Sequence, residues 1–343
     1  MKKVLLLALL LPSFVMAQKS YSEAAMQSFA QGNAAFSAGQ LTEAFTHYKK
    51  ATELESSYAE AYVNMSSIRF QEKNYTDALA YGRRAYSIEK VQHSVFSSLG
   101  KAYYMNGLYD SAVFCLDRIT VFKPLTEEEE YFLAAARVGT EDFVGAKKIA
   151  DKLYKKSPEN SDYNVLMGNV NFGLGEYDTA IANYNKALEI KPENKFIYSN
   201  IANNYIKLGE SEKAISYIDK GIAATKGREK VSFLILKGNY YESIDDLDNA
   251  EKAFDEAHQI QPDNASVIIN QAAVLIDKEQ YESAIEKCNL ALSKNPESKE
   301  AYYNRGIANE MMRNVEQACE DWQEAFILGS EKAEKFLNSA TCN

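Results

Sequence analysis

Small and apolar positions along this chain return with a period of 34 residues. Alanine marks the period most clearly: Ala44, Ala78, Ala112, Ala146, Ala180, Ala214, Ala250, Ala284 and Ala318 each hold position 20 of a block. The blocks run 25–58, 59–92, 93–126, 127–160, 161–194 and 195–228, then, after Glu229 and Lys230, 231–264, 265–298 and 299–332. Position 8 is also small, as at Gly168. The pattern predicts two helices per block, A then B, crossing where small residues let the axes approach. Apart from Pro12, every proline (Pro124, Pro158, Pro192, Pro262, Pro296) stands at position 32, where it ends helix B. Asn160, Asn194 and Asn264 follow as candidate N-caps of the next hairpin. Each hairpin leaves an apolar face that only its neighbours cover, so stability comes from stacking.

The ends differ from the array. Lys2 and Lys3, the apolar run Val4–Leu11 and the small residues Val15 and Ala17 read as a signal peptide over 1–17, followed by a lead-in over 18–24. An exported protein, periplasmic or associated with the cell surface, is therefore expected. With no Cys after the apolar run, a lipid anchor is not expected. Residues 333–343 read as a C-terminal capping helix and tail. Removing residues 1–17 takes the net charge from −10 to −12, a balance that argues against nucleic acid and anionic membranes as partners. No membrane span is expected in the mature chain.

Catalytic chemistry has little support. His47, His93 and His258 lie in different blocks, without metal-ligand spacing, and no glycine-rich phosphate loop is present. The run "TEEEEY" at 126–131 suits a capping box between Thr126 and Glu129 better than a metal or acid/base site. The reading is of a non-enzyme without cofactor or metal. Of 23 tyrosines, packing positions 4, 11, 17 and 24 absorb about half.

Spacing, small residues, aromatics and prolines together resemble the tetratricopeptide repeat family over residues 25–332. The ending "ACEDWQEAFILGSEKAEKFLNSATC" is similar to the last repeat and cap of exported members from Bacteroidota. The resemblance implies an all-α, right-handed solenoid of helical hairpins with a C-terminal cap: six repeats over 25–228, an insertion at 229–230 and three repeats over 231–332. It also implies a concave groove lined by A-helix positions 2, 5, 6, 9, 12 and 13 that binds a peptide or partner protein. Position 12 is apolar through six repeats, including Phe36, Phe70, Tyr104 and Phe172, and breaks at Glu242. Tyr131 and Tyr303 hold position 5. Position 9 supplies Asn33, Asn169, Asn203 and Asn239, and position 6 supplies Asn64, Asn200, Asn270 and Asn304. Side-chain amides both donate and accept, so such a ladder can hold an extended peptide backbone. Position 5 is never Lys, which excludes the family's charged clamp for C-terminal carboxylates.

Cys115 and Cys288, five repeats apart on B helices, are expected as buried thiols; Cys319 and Cys342 meet in a disulfide if the cap folds back. The expected function is a non-catalytic protein-interaction scaffold. Alternatives are a subunit of an envelope assembly or secretion machine, or a glycan-binding protein. The longer, proline-free turn at 229–230 is expected to be the loosest junction, dividing an apolar groove over 25–228 from a more polar one over 231–332.

Overall fold

The structure, a computed structural model, describes residues 21–338 and Cys342. The leader expected at 1–17 lies outside the described residues, as do positions 18–20 of the lead-in. The described elements are all helices. They are α1 (Glu23–Ser37), α2 (Leu41–Leu54), α3 (Ala59–Gln71), α4 (Tyr75–Ile88), α5 (His93–Met105), α6 (Tyr109–Ile119), α7 (Glu127–Gly139), α8 (Phe143–Lys156), α9 (Ser161–Gly173) and α10 (Tyr177–Ile190). After them come α11 (Ile197–Leu208), α12 (Ser211–Ala224), α13 (Glu229–Ser243), α14 (Leu247–Ile260), α15 (Ala265–Asp277), α16 (Tyr281–Lys294), α17 (Lys299–Met311), α18 (Val315–Ile327) and α19 (Glu331–Leu337). Odd numbers up to α17 are A helices and even numbers B helices, so nine hairpins precede the cap α19.

One turn geometry closes every hairpin. Position 15 has a left-handed backbone in all nine, at Gly39, Lys73, Gly107, Glu141, Gly175, Gly209, Asp245, Glu279 and Arg313. The residue after it donates its N–H to the carbonyl five positions earlier, from Gln40 to Ala35 at 2.9 Å and from Asn314 to Asn309 at 2.8 Å. That bond satisfies a carbonyl the helix end would leave open. Five of the nine positions carry a side chain there, at a cost of about 1–2 kcal/mol each that packing must offset.

The A–B crossing is built on size complementarity between positions 8 and 24. A Cβ on Gly168 would lie 2.5 Å from Tyr184 Cε1, and one on Gly306 would lie 2.4 Å from Trp322 Nε1. Where position 8 is larger, position 24 shrinks. Ala202 packs with Ile218, and Ser66 stands opposite Gly82. The position-20 alanines from Ala44 to Ala318 are all fully buried.

The chain divides into two compact units, Met1–Ile149 and Ala150–Asn343, and α8 carries the division. In the first, apolar cores centre on Tyr48, Met65 and Ile68 and on Phe96, Leu99 and Leu116. In the second, Tyr184, Phe254 and Trp322 anchor successive cores. Within each unit A helices touch their A-helix neighbours directly, α3 to α5 to α7 and α11 to α13 to α15 to α17. Leaving α8 aside, consecutive B helices make no comparable approach among the described residues, so the A helices occupy the inner, tighter side within each unit.

Several local expectations are refined. Asn160 and Asn264 cap α9 and α15, but Asn194 caps nothing: residues 195–196 form a turn and α11 starts at Ile197, after Phe196. Pro124 follows α6 by five residues, because that helix already ends at Ile119. The cap helix begins at Glu331, two residues earlier than the repeat frame places it. The 229–230 insertion is not a loose turn. Glu229 and Lys230 form the first turn of α13, and Lys230 Nζ pairs with Glu256 at 2.7 Å.

Candidate functional site

The capping box proposed for "TEEEEY" is present. Thr126 Oγ1 accepts from the Glu129 N–H at 3.3 Å, while Glu129 Oε2 accepts from the Thr126 N–H at 2.8 Å. Glu129 is 3% exposed. Burial pushes its carboxyl up, but hydrogen bonds from Ser97 and Thr126 outweigh this and, with His93 nearby, hold it below the usual carboxylate value. Among the described residues no group of His, Cys, Asp and Glu could hold a metal, and no helix is long and apolar enough to cross a membrane. Burial pushes the Cys115 and Cys288 thiols up to about 12, so neither is a ready nucleophile.

In the first unit, the A-helix face carries an aromatic cluster rather than an open apolar row. Phe70 meets Phe132 edge-on at 5.8 Å, and Tyr104 meets the same ring at 5.4 Å. Tyr131 packs on Phe132 at 5.6 Å. Phe70 reaches across a repeat because position 6 between them is the small Ser98, whose Oγ donates to Ser66 Oγ at 2.8 Å. Phe70, Tyr104 and Tyr131 are therefore half-buried, and Phe36 is half-buried against the core of Tyr48, Met65 and Ile68. Beside the cluster lies a cavity of about 290 Å³ lined by Phe36, Ser67, Phe70, Gln71, Ser98, Lys101 and Glu128. Lys101 Nζ is 5.7 Å from the Phe70 ring centroid and 3.0 Å from Glu128 Oε2, which places one ion pair at its rim.

The asparagine ladder is partly bonded to itself. Asn33 Oδ1 accepts from Tyr48 Oη at 2.8 Å and from Asn64 Nδ2 at 3.3 Å. These two bonds leave the Asn33 amide donors facing away from its acceptor. In the second unit Asn169 Oδ1 accepts from Tyr184 Oη at 2.7 Å, and Asn239 Oδ1 accepts from Asn270 Nδ2 at 3.2 Å. The Asn169–Asn200 pair forms no such rung among the described residues. Asn200, Asn203 and Asn304 are half-buried on the same helical faces, as is Phe172, which meets Tyr177 at 5.7 Å. Tyrosine at position 24 coincides with asparagine at position 9 in both bonded repeats. That covariation was the available signal for the bond.

A second cavity, of about 450 Å³, opens on the A-helix side of repeats eight and nine. Ile269, Asn270, Tyr303 and Asn304 line it together with Lys299 and Glu300, and the turn Gly329–Lys332 walls its end. Lys299 Nζ donates to the Gly329 carbonyl at 3.3 Å, and Tyr303 meets Phe336 of the cap at 5.7 Å. The cap itself is held by Trp322 against Phe336 at 4.5 Å and by a disulfide joining Cys319 to Cys342.

Stacked helical hairpins of this kind define an α-solenoid. The sequence family described as "TPR repeat" matches residues 32–66 and 168–215, and that described as "Tetratricopeptide repeat" matches 200–265. The hairpins over those residues are tetratricopeptide repeats. The chain is similar to a tetratricopeptide repeat protein of Parabacteroides merdae, with a TM-score of 0.56 at 15% identity, covering 74% of this chain and 100% of that one. Among curated relatives it is 25% identical over 245 residues to Stress-induced-phosphoprotein 1 of Caenorhabditis elegans, covering 71% of this chain and 75% of that one. It is 26% identical over 340 residues to a DnaJ homolog subfamily C member 7 homolog of Schizosaccharomyces pombe, covering 92% of this chain and 66% of that protein. It is a repeat scaffold resembling protein-interaction tetratricopeptide proteins.

Proposed function

We propose that this chain is an exported, non-catalytic scaffold of the cell envelope that binds an extended peptide or partner segment along the A-helix faces. The observation that carries the reading is the pairing of fixed side-chain amides with half-exposed apolar residues: Asn33–Asn64 beside Phe36 and Phe70, and Asn239–Asn270 beside Ile269 and Tyr303. An amide whose acceptor is already engaged keeps its donors oriented, so a peptide carbonyl meets a pre-arranged partner. The likeness to Stress-induced-phosphoprotein 1 and to a DnaJ homolog supports the interaction role in general. The test is residue-specific photocrosslinking in the envelope fraction. Probes replacing Gln71 or Glu300 are expected to capture the partner, and probes replacing Glu193 or Lys220 to capture nothing. Crosslinks confined to the second pair would overturn the groove reading, and an uncleaved chain starting at Met1 in the cytoplasm would overturn export.

A further inference from the structure

The last three repeats present three parallel rows on their A-helix face. Ile235, Ile269 and Tyr303 form an apolar row at position 5, each half-buried. Asn239, Asn270 and Asn304 form an amide row, its first two members bonded at 3.2 Å. Glu242, Asp277 and Glu310 form an acidic row at positions 12 and 13. None of these three has a cation within ion-pair distance among the described residues.

The missing cations are committed elsewhere. Lys237 pairs with Asp219 at 2.8 Å, Lys278 with Asp248 at 2.7 Å and Glu251 at 2.6 Å, and Lys294 with Asp263 at 2.5 Å. Arg305 pairs with Asp321 at 2.6 Å. All these carboxylates lie on B helices or the turns after them. Lys299 lines the neighbouring cavity but donates to the Gly329 carbonyl, so Glu242 and Asp277 face other carboxylates rather than a cation. Burial, then the Asp277 carboxylate, raises Glu242, and burial, then Asp245, raises Asp277. A ligand that brings positive charge relieves both.

Repeat spacing sets the ligand's period. Neighbouring packed helices stand about 8–10 Å apart. An extended β-strand repeats a face every ~7 Å and drifts out of register within two repeats. A polyproline II chain repeats a face every third residue, about 9 Å, and stays in step. Resting on the groove reading above, we propose that the A-helix face of repeats seven to nine binds a lysine- or arginine-bearing peptide in polyproline II form. Its basic and apolar residues recur every third position, the basic ones on Glu242, Asp277 and Glu310 and the apolar ones on Ile235, Ile269 and Tyr303.

The experiment uses the full chain and fluorescent peptides of about twelve residues, built as repeated Lys-Pro-Leu, as the same peptide with Glu for Lys, and as alternating Lys-Leu. The first is expected to bind about tenfold or more tightly than the others, and about tenfold more weakly to the Glu242→Gln/Asp277→Asn variant. Both substitutions remove repulsion, and circular dichroism confirms the fold. The control variant Glu193→Gln/Glu297→Gln, at exposed loop acids, is expected to bind as the parent does. If Tyr303→Ala and Asn304→Ala weaken binding but the Lys and Glu peptides bind alike, the charge proposal falls and the groove stands. If binding ignores Tyr303→Ala and Asn304→Ala, the groove reading fails for this unit. Equal loss in the control variant, preference for alternating Lys-Leu, or no binding by any peptide overturns the proposal.

Discussion

Replacing Gly168 by alanine should change sign with the residue facing it. The added Cβ would stand 2.5 Å from Tyr184 Cε1 and 2.7 Å from Cδ1 and Cζ. The ring cannot step aside easily: it is 2% exposed, its hydroxyl is held by Asn169 Oδ1 at 2.7 Å, and Ala180, Ile181, Ala187, Ile197 and Ile201 surround it. Overpacking of this kind costs about 1–3 kcal/mol. Alanine returns about 1 kcal/mol of helix propensity over glycine, so Gly168→Ala should cost up to about 2 kcal/mol net. In a Tyr184→Ile background the ring is gone and the pair copies Ala202–Ile218, already used one repeat later. There the same alanine should stabilise by about 1 kcal/mol, a coupling of about 1–3 kcal/mol between the two sites. A repeat array unfolds in parts, so amide hydrogen exchange in α9 and α10 of the full chain is the assay. An alanine effect of the same sign and size in both backgrounds would refute the position 8–24 argument.

Other perturbations test separate features. Ala180→Leu, at a fully buried crossing, should cost about 1–3 kcal/mol and lower the melting temperature; an unchanged melt would count against the register. Asp245→Gly or Glu279→Gly should each stabilise by about 0.5–1 kcal/mol, the left-handed cost less the entropy glycine adds to the unfolded chain, and a lower urea midpoint would contradict this. Reducing the Cys319–Cys342 bond, which closes a sequence separation of 23, should remove about 3 kcal/mol in the entropic account and first expose α19 amides to exchange; unchanged exchange there would rule out its role in holding the cap. Glu242 has its folded value raised, so its charge lowers stability above that value, and the penalty vanishes as pH falls below the unfolded one. Glu242→Gln should therefore raise the melting temperature at neutral pH, by less than about 1 kcal/mol in stability, and leave it unchanged near pH 3; equal gain at both would refute the charge argument.

What was legible in the sequence is what repeats. Alanine at position 20 gave the hairpin count because one crossing recurs in register, while proline at position 32 marked the ends of only some B helices and at Pro124 stands five residues past its helix. The left-handed position 15 was half visible: glycine shows it at Gly39, Gly107, Gly175 and Gly209, whereas Lys73 or Glu279 carry no such mark. The residues expected to line a groove lie on half-buried or exposed A-helix faces, which periodicity alone gives. Their partners were not legible. Whether Phe70 faces solvent or Phe132 depends on the size of Ser98 one repeat away, and whether Asn33 is free depends on a hydroxyl fifteen residues later. Periodicity reports which face a residue is on; contacts between different positions of different repeats lie beyond it.

The insertion at 229–230 shows how a length anomaly is converted into helix. Thr225 Oγ1 turns back to the Gly221 carbonyl at 2.7 Å and ends α12, and Gly227 takes a positive φ of 53° to redirect the chain. Glu229 then sits in the first turn of α13, where the helix dipole favours an acid, and Lys230 finds Glu256. One contact at this junction is close, since a Cβ on Gly221 would lie 2.1 Å from Phe233 Cε1. Elsewhere α12 meets α13 more sparsely than other B helices, α8 aside, meet the A helix that follows them among the described residues, so the extra residues are helical but the interface is thinner. What changes here is chemistry at position 7. Through repeats two to six it is apolar, as Met65, Leu99, Leu133, Met167 and Ile201, all buried. From repeat seven it becomes Lys237, Gln271 and Arg305, which reach back to position 25 of the preceding repeat: Asp219 at 2.8 Å, Asp255 at 2.6 Å and Asn289 at 2.5 Å. Apolar stacking sets no partner, whereas each of these donors needs an acceptor at position 25, and Asp219, Asp255 and Asn289 all present one. The last three repeats are thus joined by polar bonds at position 7, and the same repeats carry the acidic row on their A-helix face.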